Sequence, residues 1–227
     1  MTTRREFLAL SAAAPFVRPD FSVAQDAGDS GLVTGKPMPL KYEEIKGFLS
    51  KDQLAPHHGA RYSGAIKSLT QIESELEGAD RSKSNANYSP IRELKREQIH
   101  AMNSILLHEL YFSGLSAKGE KPGEAAREMI EKRFATVDKG IEDFKAAAIA
   151  ARGWAILSYH PVNRTLYNIV TDVHDVGPLV SGIPLVVIDC YEHAFYVDYK
   201  NKKADYVGTY PQFIDWSAVD ARFRGLR

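Results

Sequence analysis

Apolar residues recur at helical spacing along two stretches in the first half of the chain. From Ser50 to Leu76 one apolar face is predicted, formed by Ala65, Leu69, Ile72 and Leu76. The second stretch opens at Ser89-Pro90, where serine can cap a helix and proline is tolerated in the first turn, and it stops near Gly114. Its predicted face contains Ile91, Leu94, Ile99, Met102, Ile105, His108 and Phe112. The polar residues 77–88 separate the two stretches, so the pattern predicts an antiparallel helical hairpin.

The pattern changes after residues 118–123, a break rich in glycine, lysine and proline that indicates a domain boundary. Two more helical stretches follow, and then three short runs rich in apolar and β-branched residues, 153–159, 166–171 and 183–189, predict strands. Helical character returns after Tyr191, with a last short helix near 216–223. We therefore expect an α+β fold, with an N-terminal helical hairpin domain (41–118) and a C-terminal α/β domain (119–227) containing a three-stranded antiparallel sheet.

The N-terminus predicts export. Arg4-Arg5 precedes a short apolar run, residues 8–17, which suits a signal peptide and resembles the twin-arginine type. Small residues at Ser22-Val23-Ala24 offer a cleavage point, so residues 1–24 are interpreted as the signal and 25–40 as an extended segment leading into the first helix. Such a protein would be periplasmic or extracellular. No later apolar run is long enough to cross a bilayer, so no membrane association is expected after signal removal.

Charge and cysteine content narrow the classes of function. Lys+Arg and Asp+Glu balance at 29 each, so no net basic field is available to attract nucleic acid. The single cysteine, Cys190, cannot form a disulfide within the chain.

Several histidines and one aspartate could bind a metal. Asp189 closes an apolar strand, and a carboxylate buried there needs a partner or a metal; His193 follows four residues later. A helix cap and a surface histidine are the ordinary alternative for this pair. His108 lies on an apolar helical face, where a hydrogen-bonded core histidine is the ordinary alternative. Of the adjacent His57 and His58, one at most can point to a given site. Three histidines and one aspartate suit iron, manganese or zinc.

Taken together these residues resemble the iron/manganese superoxide dismutases. The stretch Asp189-Cys-Tyr-Glu-His-Ala-Phe-Tyr is similar to that family's signature, and His108-Glu-Leu-Tyr-Phe-Ser-Gly-Leu is similar to its second-ligand segment. His57-His58 matches the first-ligand segment, Gly153-Trp154-Ala155 matches the strand that places a tryptophan over the metal, and residues 199–206 resemble the stretch after the signature. All five occur in the family's order, and the resemblance runs from about Pro37 to Phe223.

The resemblance implies one iron or manganese ion per subunit, held by His57, His108, Asp189 and His193. It implies that the metal cycles between two oxidation states while superoxide is converted to dioxygen and hydrogen peroxide. It also implies a homodimer in which Glu192 reaches the partner's equivalent of His193, so that both residues lie at the interface.

The surroundings of this predicted site depart from the family pattern. His174 falls where many manganese members have a glutamine that hydrogen-bonds the metal-bound solvent; an exposed loop histidine is the alternative. Four and eight residues after His57 the family usually has histidine and tyrosine, which shape the substrate channel, and these positions are Arg61 and Ala65 here. Arg61 could attract the superoxide anion but is a poor proton donor. Tyr196 is retained, whereas the signature tryptophan is replaced by Tyr191.

The leading hypothesis is an exported superoxide dismutase with an altered channel, in which His174, Arg61, Tyr196 and Trp154 surround the metal ligands. Two alternatives stay open: an exported metal-binding protein of the same fold with weak or changed redox activity, and a different redox or oxygen-handling reaction in a widened pocket. Fold alone cannot choose among them.

Overall fold

A computed structural model describes residues 28–226 of the chain. The predicted signal peptide, residues 1–24, and the start of the predicted extended segment lie outside this range. The rest of that segment is not wholly extended, because helix α1 (Gly31–Thr34) forms one short turn within it. Ser30 caps this turn by accepting a hydrogen bond from the backbone N–H of Leu32.

The helical hairpin is present as predicted. Helix α2 (Lys51–Pro56) leads into a π-helical turn (His57–Tyr62) and then into α3 (Ser63–Gly78). Helix α4 (Pro90–Ser113) returns antiparallel to α3, and the Ser89 side chain caps it by accepting from the N–H of Arg92. Ser50 caps α2 in the same way, from Gln53.

The π-helical turn corrects the predicted apolar face. A π-turn adds one residue to the helical repeat, so the buried side moves by one position after His57. Tyr62 and Ile66 are buried, while Ala65 and Ile72 are only partly buried. The next buried side chain after His57 is that of Tyr62, five positions later, whereas Arg61, four positions after His57, is exposed.

The predicted face of α4 also needs correction. Ile99 is 50% exposed and Met102 is 36% exposed. The predicted Ile105 is buried. Ala101 is buried in place of Met102, and Gln98 is partly buried in place of Ile99. Two residues of the predicted face, Ile99 and Met102, thus lie one position away from the buried side, which is formed by residues three and four apart.

The C-terminal part contains the three predicted strands. Helices α5 (Glu124–Phe134) and α6 (Val137–Ala150) precede β1 (Trp154–His160), β2 (Thr165–Thr171) and β3 (Ile183–Asp189). All pairings are antiparallel and the order is β2-β1-β3, which confirms the predicted α+β fold. On one side of the sheet, Leu157 and Val186 line a small apolar cavity together with residues of α5 and α6, such as Ile130 and Phe144. Trp154 contacts α4 instead.

Short helical segments complete the chain. A 3-10 turn (Glu192–Ala194) is followed by α7 (Tyr196–Tyr199), α8 (Lys203–Thr209) and α9 (Trp216–Arg224). The buried Arg222 of α9 donates to the carbonyls of Leu185 and Leu110, which ties α9 to β3 and to the end of α4. Among the described helices none is both long and apolar enough to span a membrane.

Candidate metal centre

Four side chains converge where the hairpin meets the sheet. One donor atom from each of His57, His108, Asp189 and His193 lies within 4.8 Å of the other three. Oδ2 of Asp189 is 3.0 Å from Nε2 of His57, 3.2 Å from Nε2 of His193 and 3.7 Å from Nε2 of His108. Three imidazole nitrogens therefore surround one carboxylate oxygen, and the four predicted metal ligands are brought together in one place.

His108 has the tautomer that a metal ligand needs. Its Nδ1–H donates to the backbone carbonyl of Ser104, one helical turn earlier, at 2.7 Å. A neutral imidazole that donates through Nδ1 carries its lone pair on Nε2. Nε2 is buried and has no hydrogen-bond partner among the described residues. A buried nitrogen lone pair without a partner, aimed at three other donors, fits an iron or manganese ion.

The electrostatics of the site favour the ligand forms of these groups. Burial lowers the pKa of His57, and burial together with the neighbouring His57 lowers the pKa of His108 to about 3. Burial opposes ionisation of Asp189, but hydrogen bonds from His193 and His57 outweigh it and hold the pKa of that carboxyl well below its usual range. Neutral imidazole and ionised carboxylate are the charge states in which these groups bind metal.

The sheet register places Asp189. In the pairing of β1 with β3, Asp189 lies directly opposite Trp154, so the two side chains share one face of the sheet. The other carboxylate oxygen, Oδ1, accepts from the backbone N–H of Tyr191 at 2.9 Å. The Asp189 carbonyl accepts from the hydroxyl of Tyr206, which itself accepts from Tyr111. Hydrogen bonds therefore hold both the side-chain carboxylate and the backbone carbonyl of Asp189 in place.

Aromatic rings enclose the four donors. The Trp154 ring meets His108 edge to face at 5.0 Å between centroids, and Phe112 lies 4.9 Å from His57. Tyr191 is stacked on His193 at 5.1 Å. Tyr191 is the residue that replaces the tryptophan of the family signature, and its ring covers one side of His193. These rings exclude water from most of the site, and only His193, with 20% of its side chain exposed, reaches solvent to a significant extent.

His174 lies beside this group and is not an exposed loop residue. It is 9% exposed, and its ring centroid is 6.0 Å from that of His108. Its Nδ1 accepts a hydrogen bond from Nε1–H of Trp154 at 2.9 Å, and its carbonyl accepts from Asn103. An imidazole that accepts through Nδ1 carries its proton on Nε2 when neutral. Burial, followed by the charge of His100, lowers the pKa of His174 to about 4 and favours that neutral form.

An open cleft leads to the exposed side of His193. Its volume is about 580 Å³, and its lining includes Arg61, Arg152, Tyr191, Glu192, His193 and Lys203. Arg61 thus shares a cleft with a predicted ligand. Ala65 does not line this cleft, and Tyr196 is 48% exposed with its ring near Lys200. Within one chain the structure does not bring Tyr196 against the four donors.

Three polar residues of this region were missed in the sequence. Gln53 is buried between the first-ligand helix and the turn that contains His193. Tyr62 donates through its hydroxyl to Oε1 of Glu109, the residue next to His108, at 2.7 Å. The sequence gives no sign that Gln53 and Tyr62 are buried, because the π-turn cannot be predicted from it. Glu109 could have been singled out, since it is a carboxylate beside the predicted core histidine His108.

Comparison with known proteins agrees with this geometry. The family described as iron/manganese superoxide dismutases, C-terminal domain, matches residues 122–222. The chain is 43% identical over 188 residues to "Superoxide dismutase [Fe]" of Aquifex aeolicus, covering 81% of this chain and 88% of that protein. It is 34% identical to "Superoxide dismutase [Fe]" of Cupriavidus metallidurans, covering 83% and 94%, and 29% identical to "Superoxide dismutase [Mn] 2" of Haloferax volcanii, covering 82% and 93%.

The relatives cover the helical hairpin as well as the sheet, and their similarity extends over most of the described residues. Their shared family also agrees with the cluster of three histidines and one aspartate found between those two parts. The chain belongs to the iron/manganese superoxide dismutase family.

Proposed function

We propose that this protein converts superoxide to dioxygen and hydrogen peroxide with one iron or manganese ion per subunit, bound by His57, His108, Asp189 and His193. One observation carries the proposal: three imidazoles and a carboxylate place their donor atoms within 4.8 Å of one another, and one buried imidazole nitrogen has no other partner. Bound there, the metal would supply the one-electron redox chemistry of the reaction. In this reaction one superoxide is oxidised to dioxygen, and another takes up one electron and two protons to give peroxide.

The protein residues have separable roles in this proposal. The Asp189 carboxylate offsets part of the metal charge, and the neutral His57 and His108 complete the buried side of the site. Trp154 fixes the tautomer of His174 by donating to its Nδ1, so that His174 keeps a proton on Nε2. A donor held beside a metal site can hydrogen-bond bound solvent and tune its acidity. We assign that role to His174.

Arg61 is proposed to attract the substrate. Superoxide is an anion, and a guanidinium in the cleft raises the local concentration of anions there. Arg61 is exposed, and a guanidinium is a poor proton donor, so this residue is suited to attraction and not to proton transfer.

A homodimer is proposed, with Glu192 and His193 at its interface and Tyr196 reaching the partner's site. Glu192 is exposed and lines the cleft beside His193, and Tyr196 and Val197 leave a partly apolar surface next to it. Light scattering on the metal-loaded protein is expected to give twice the chain mass, and Glu192→Ala is expected to shift it toward the monomer. A monomeric wild-type protein would contradict this arrangement.

Export through a twin-arginine signal is also proposed, on the sequence of residues 1–24 alone. Fusing these residues to a reporter that fluoresces after folding, with Arg4-Arg5 changed to Lys-Lys as the control, tests it. We expect the reporter outside the cytoplasm only for the unchanged signal; equal retention of both fusions would contradict it.

The activity itself is tested by cytochrome c competition on protein loaded with iron or with manganese. We expect superoxide removal well above that of the same concentration of free metal ion. The alternative of a metal-binding protein with weak redox activity is favoured by the unusual Arg61 and Ala65. It would be supported by full metal occupancy together with activity no better than that of the free ion.

A further inference from the structure

We propose that Gln53 is a positioning residue for the metal ligand His193, and that it fixes the geometry of the site by joining the segments of two ligands. The proposal rests on the proposed function, because it takes His193 to be a ligand. Gln53 lies four residues before His57, on α2, and it is fully buried with 0% exposure. No motif of the family resemblance singled it out.

Both ends of the Gln53 amide are used by the turn that carries His193. Nε2 donates to the backbone carbonyl of His193 at 2.6 Å, and Oε1 accepts from the backbone N–H of Val197 at 2.9 Å. A glutamine amide that donates at one end and accepts at the other has one favourable orientation, because a flip would place like groups against each other. The side chain therefore acts as a fixed bridge between α2 and residues 193–197.

His193 needs such support more than the other predicted ligands. His108 belongs to a long helix and Asp189 to a paired strand, but His193 lies in a 3-10 turn of three residues, Glu192–Ala194. Hydrogen bonds of this turn run from Ala194 to Tyr191 and from Phe195 to Glu192. The carbonyl of His193 lies between them and is held by Gln53. Because 20% of the His193 side chain is exposed, packing restrains it less than it restrains the other three.

A second pair of bonds fixes the same two segments. Asp198 of α7 accepts from the backbone N–H of Ser50 at 2.7 Å and from the Ser50 hydroxyl at 2.6 Å. Ser50 in turn caps α2 by accepting from the N–H of Gln53. The start of the first-ligand helix is thus joined to the residues after His193 at two points. Gln53 is the inner point and Asp198 the outer one.

Two substitutions of Gln53 distinguish the effect of its hydrogen bonds from the effect of its packing. Gln53→Glu keeps the size and the acceptor for Val197, but it sets a carboxylate oxygen against the carbonyl oxygen of His193. Gln53→Met keeps the length and removes both hydrogen bonds, leaving two backbone groups unpaired. If one variant fails to accumulate as folded protein, the other provides the test.

The experiment uses residues 25–227, the chain without the proposed signal, loaded with iron that is oxidised to the ferric form. Loss of iron to an excess of chelator and the electron paramagnetic resonance spectrum of the ferric ion are measured. A residue that orients a ligand is expected to change iron retention roughly tenfold or more. We expect faster iron loss and altered rhombicity of the ferric signal in Gln53→Glu or Gln53→Met.

Two controls give the result its meaning. Gln71→Glu changes an exposed glutamine on α3, and it should leave iron loss and spectrum unchanged. Ile130→Ala removes buried apolar contacts on the far side of the sheet; it should lower the melting temperature without altering the spectrum. A Gln53 variant whose spectrum and iron loss equal those of wild type, or change no more than those of Ile130→Ala, would overturn the proposal.

The wild-type protein separates this proposal from the proposed function. If wild type retains iron and removes superoxide, and the Gln53 variants behave identically, the proposed function is supported and the positioning role of Gln53 is contradicted. Wild type that retains neither iron nor manganese would overturn the proposed function, and the role of Gln53 with it.

Discussion

Two adjacent histidines with different surroundings give the sharpest test at the scale of single residues. Nε2 of His57 lies in the group of four donors, whereas Nε2 of its neighbour His58 is bonded to the Met38 carbonyl at 2.6 Å. We expect His57→Ala to lose most of its iron or manganese and His58→Ala to keep it, as measured by elemental analysis. Equal metal content in the two variants would contradict the assignment of His57.

His108 gives a second prediction of the same kind. His108→Ala is expected to lose the metal and also the extra stability that metal binding adds to the folded state. Thermal unfolding with and without metal measures this, since the difference present in the wild type should disappear in the variant. A variant with unchanged metal content would refute the role of His108.

The buried histidines also predict acid sensitivity of the metal-free protein. Burial lowers the pKa of His57 and His108 in the folded state, so the unfolded chain binds protons that the folded chain does not. Stability is therefore complete above the unfolded pKa of about 6.5 and falls as the pH drops below it. For His108, whose folded pKa is lowered to about 3, the drop from pH 7.5 to 5.5 should lower the free energy of unfolding by about 1.4 kcal/mol. Urea unfolding of metal-free wild type and His108→Gln tests this; the same pH dependence in both would contradict it.

Arg61 is tested through its charge. We expect Arg61→Gln to lower the rate of superoxide removal several-fold at low ionic strength, with a smaller difference at high salt, because salt screens the attraction. Lys67→Gln, which removes an exposed charge from α3, is the matched control and should have little effect. A rate for Arg61→Gln that matches wild type at low salt would show that this cation does not guide the substrate.

At the scale of elements, Glu109 joins three segments around the ligand helices. Its carboxylate accepts from the Tyr62 hydroxyl, from the backbone N–H of Gly31 at 2.8 Å and from the Ser30 hydroxyl at 2.7 Å. The N-terminal turn α1 is thereby held against the π-turn and α4. Replacing a buried acceptor by a group that cannot accept all of these bonds costs about 1–3 kcal/mol.

We therefore expect Glu109→Gln to loosen residues 30–38 before any other part of the described chain. Hydrogen exchange measured by mass spectrometry should show faster exchange in that segment. Glu97→Gln, an exposed change on the same helix, is the control. Unchanged exchange in residues 30–38 of Glu109→Gln would contradict the role given to this carboxylate.

The elements also show what the sequence could predict. The hairpin and the three strands were predictable because apolar residues keep the helical and strand repeats over their lengths, and the Ser89-Pro90 start was given by local chemistry. The π-turn was not predictable, because it inserts one residue into the helical repeat without any change in composition. As a result the buried position is Ile66 and not the predicted Ala65. The roles of Gln53 and Glu109 depend on partners 140 and 78 residues away, which helical periodicity cannot reveal.

At the scale of the whole molecule, the predicted site exists only where the two halves of the fold meet. His57 and His108 come from the helical hairpin, and Asp189 and His193 come from the end of β3 and the turn that follows it. A metal that binds all four would link the halves and stabilise the folded state by its binding free energy. The aromatic rings and the Gln53 bridge position the four donors, and the cleft with Arg61 offers an approach from solvent to His193.

The most direct test of the central claim is pulse radiolysis of the purified protein, with its iron and manganese content measured on the same sample. The account predicts about one metal ion per subunit and second-order removal of superoxide far faster than by the free ion, lost together with the metal in His57→Ala. Full metal occupancy with superoxide removal no faster than by free iron or manganese would contradict it.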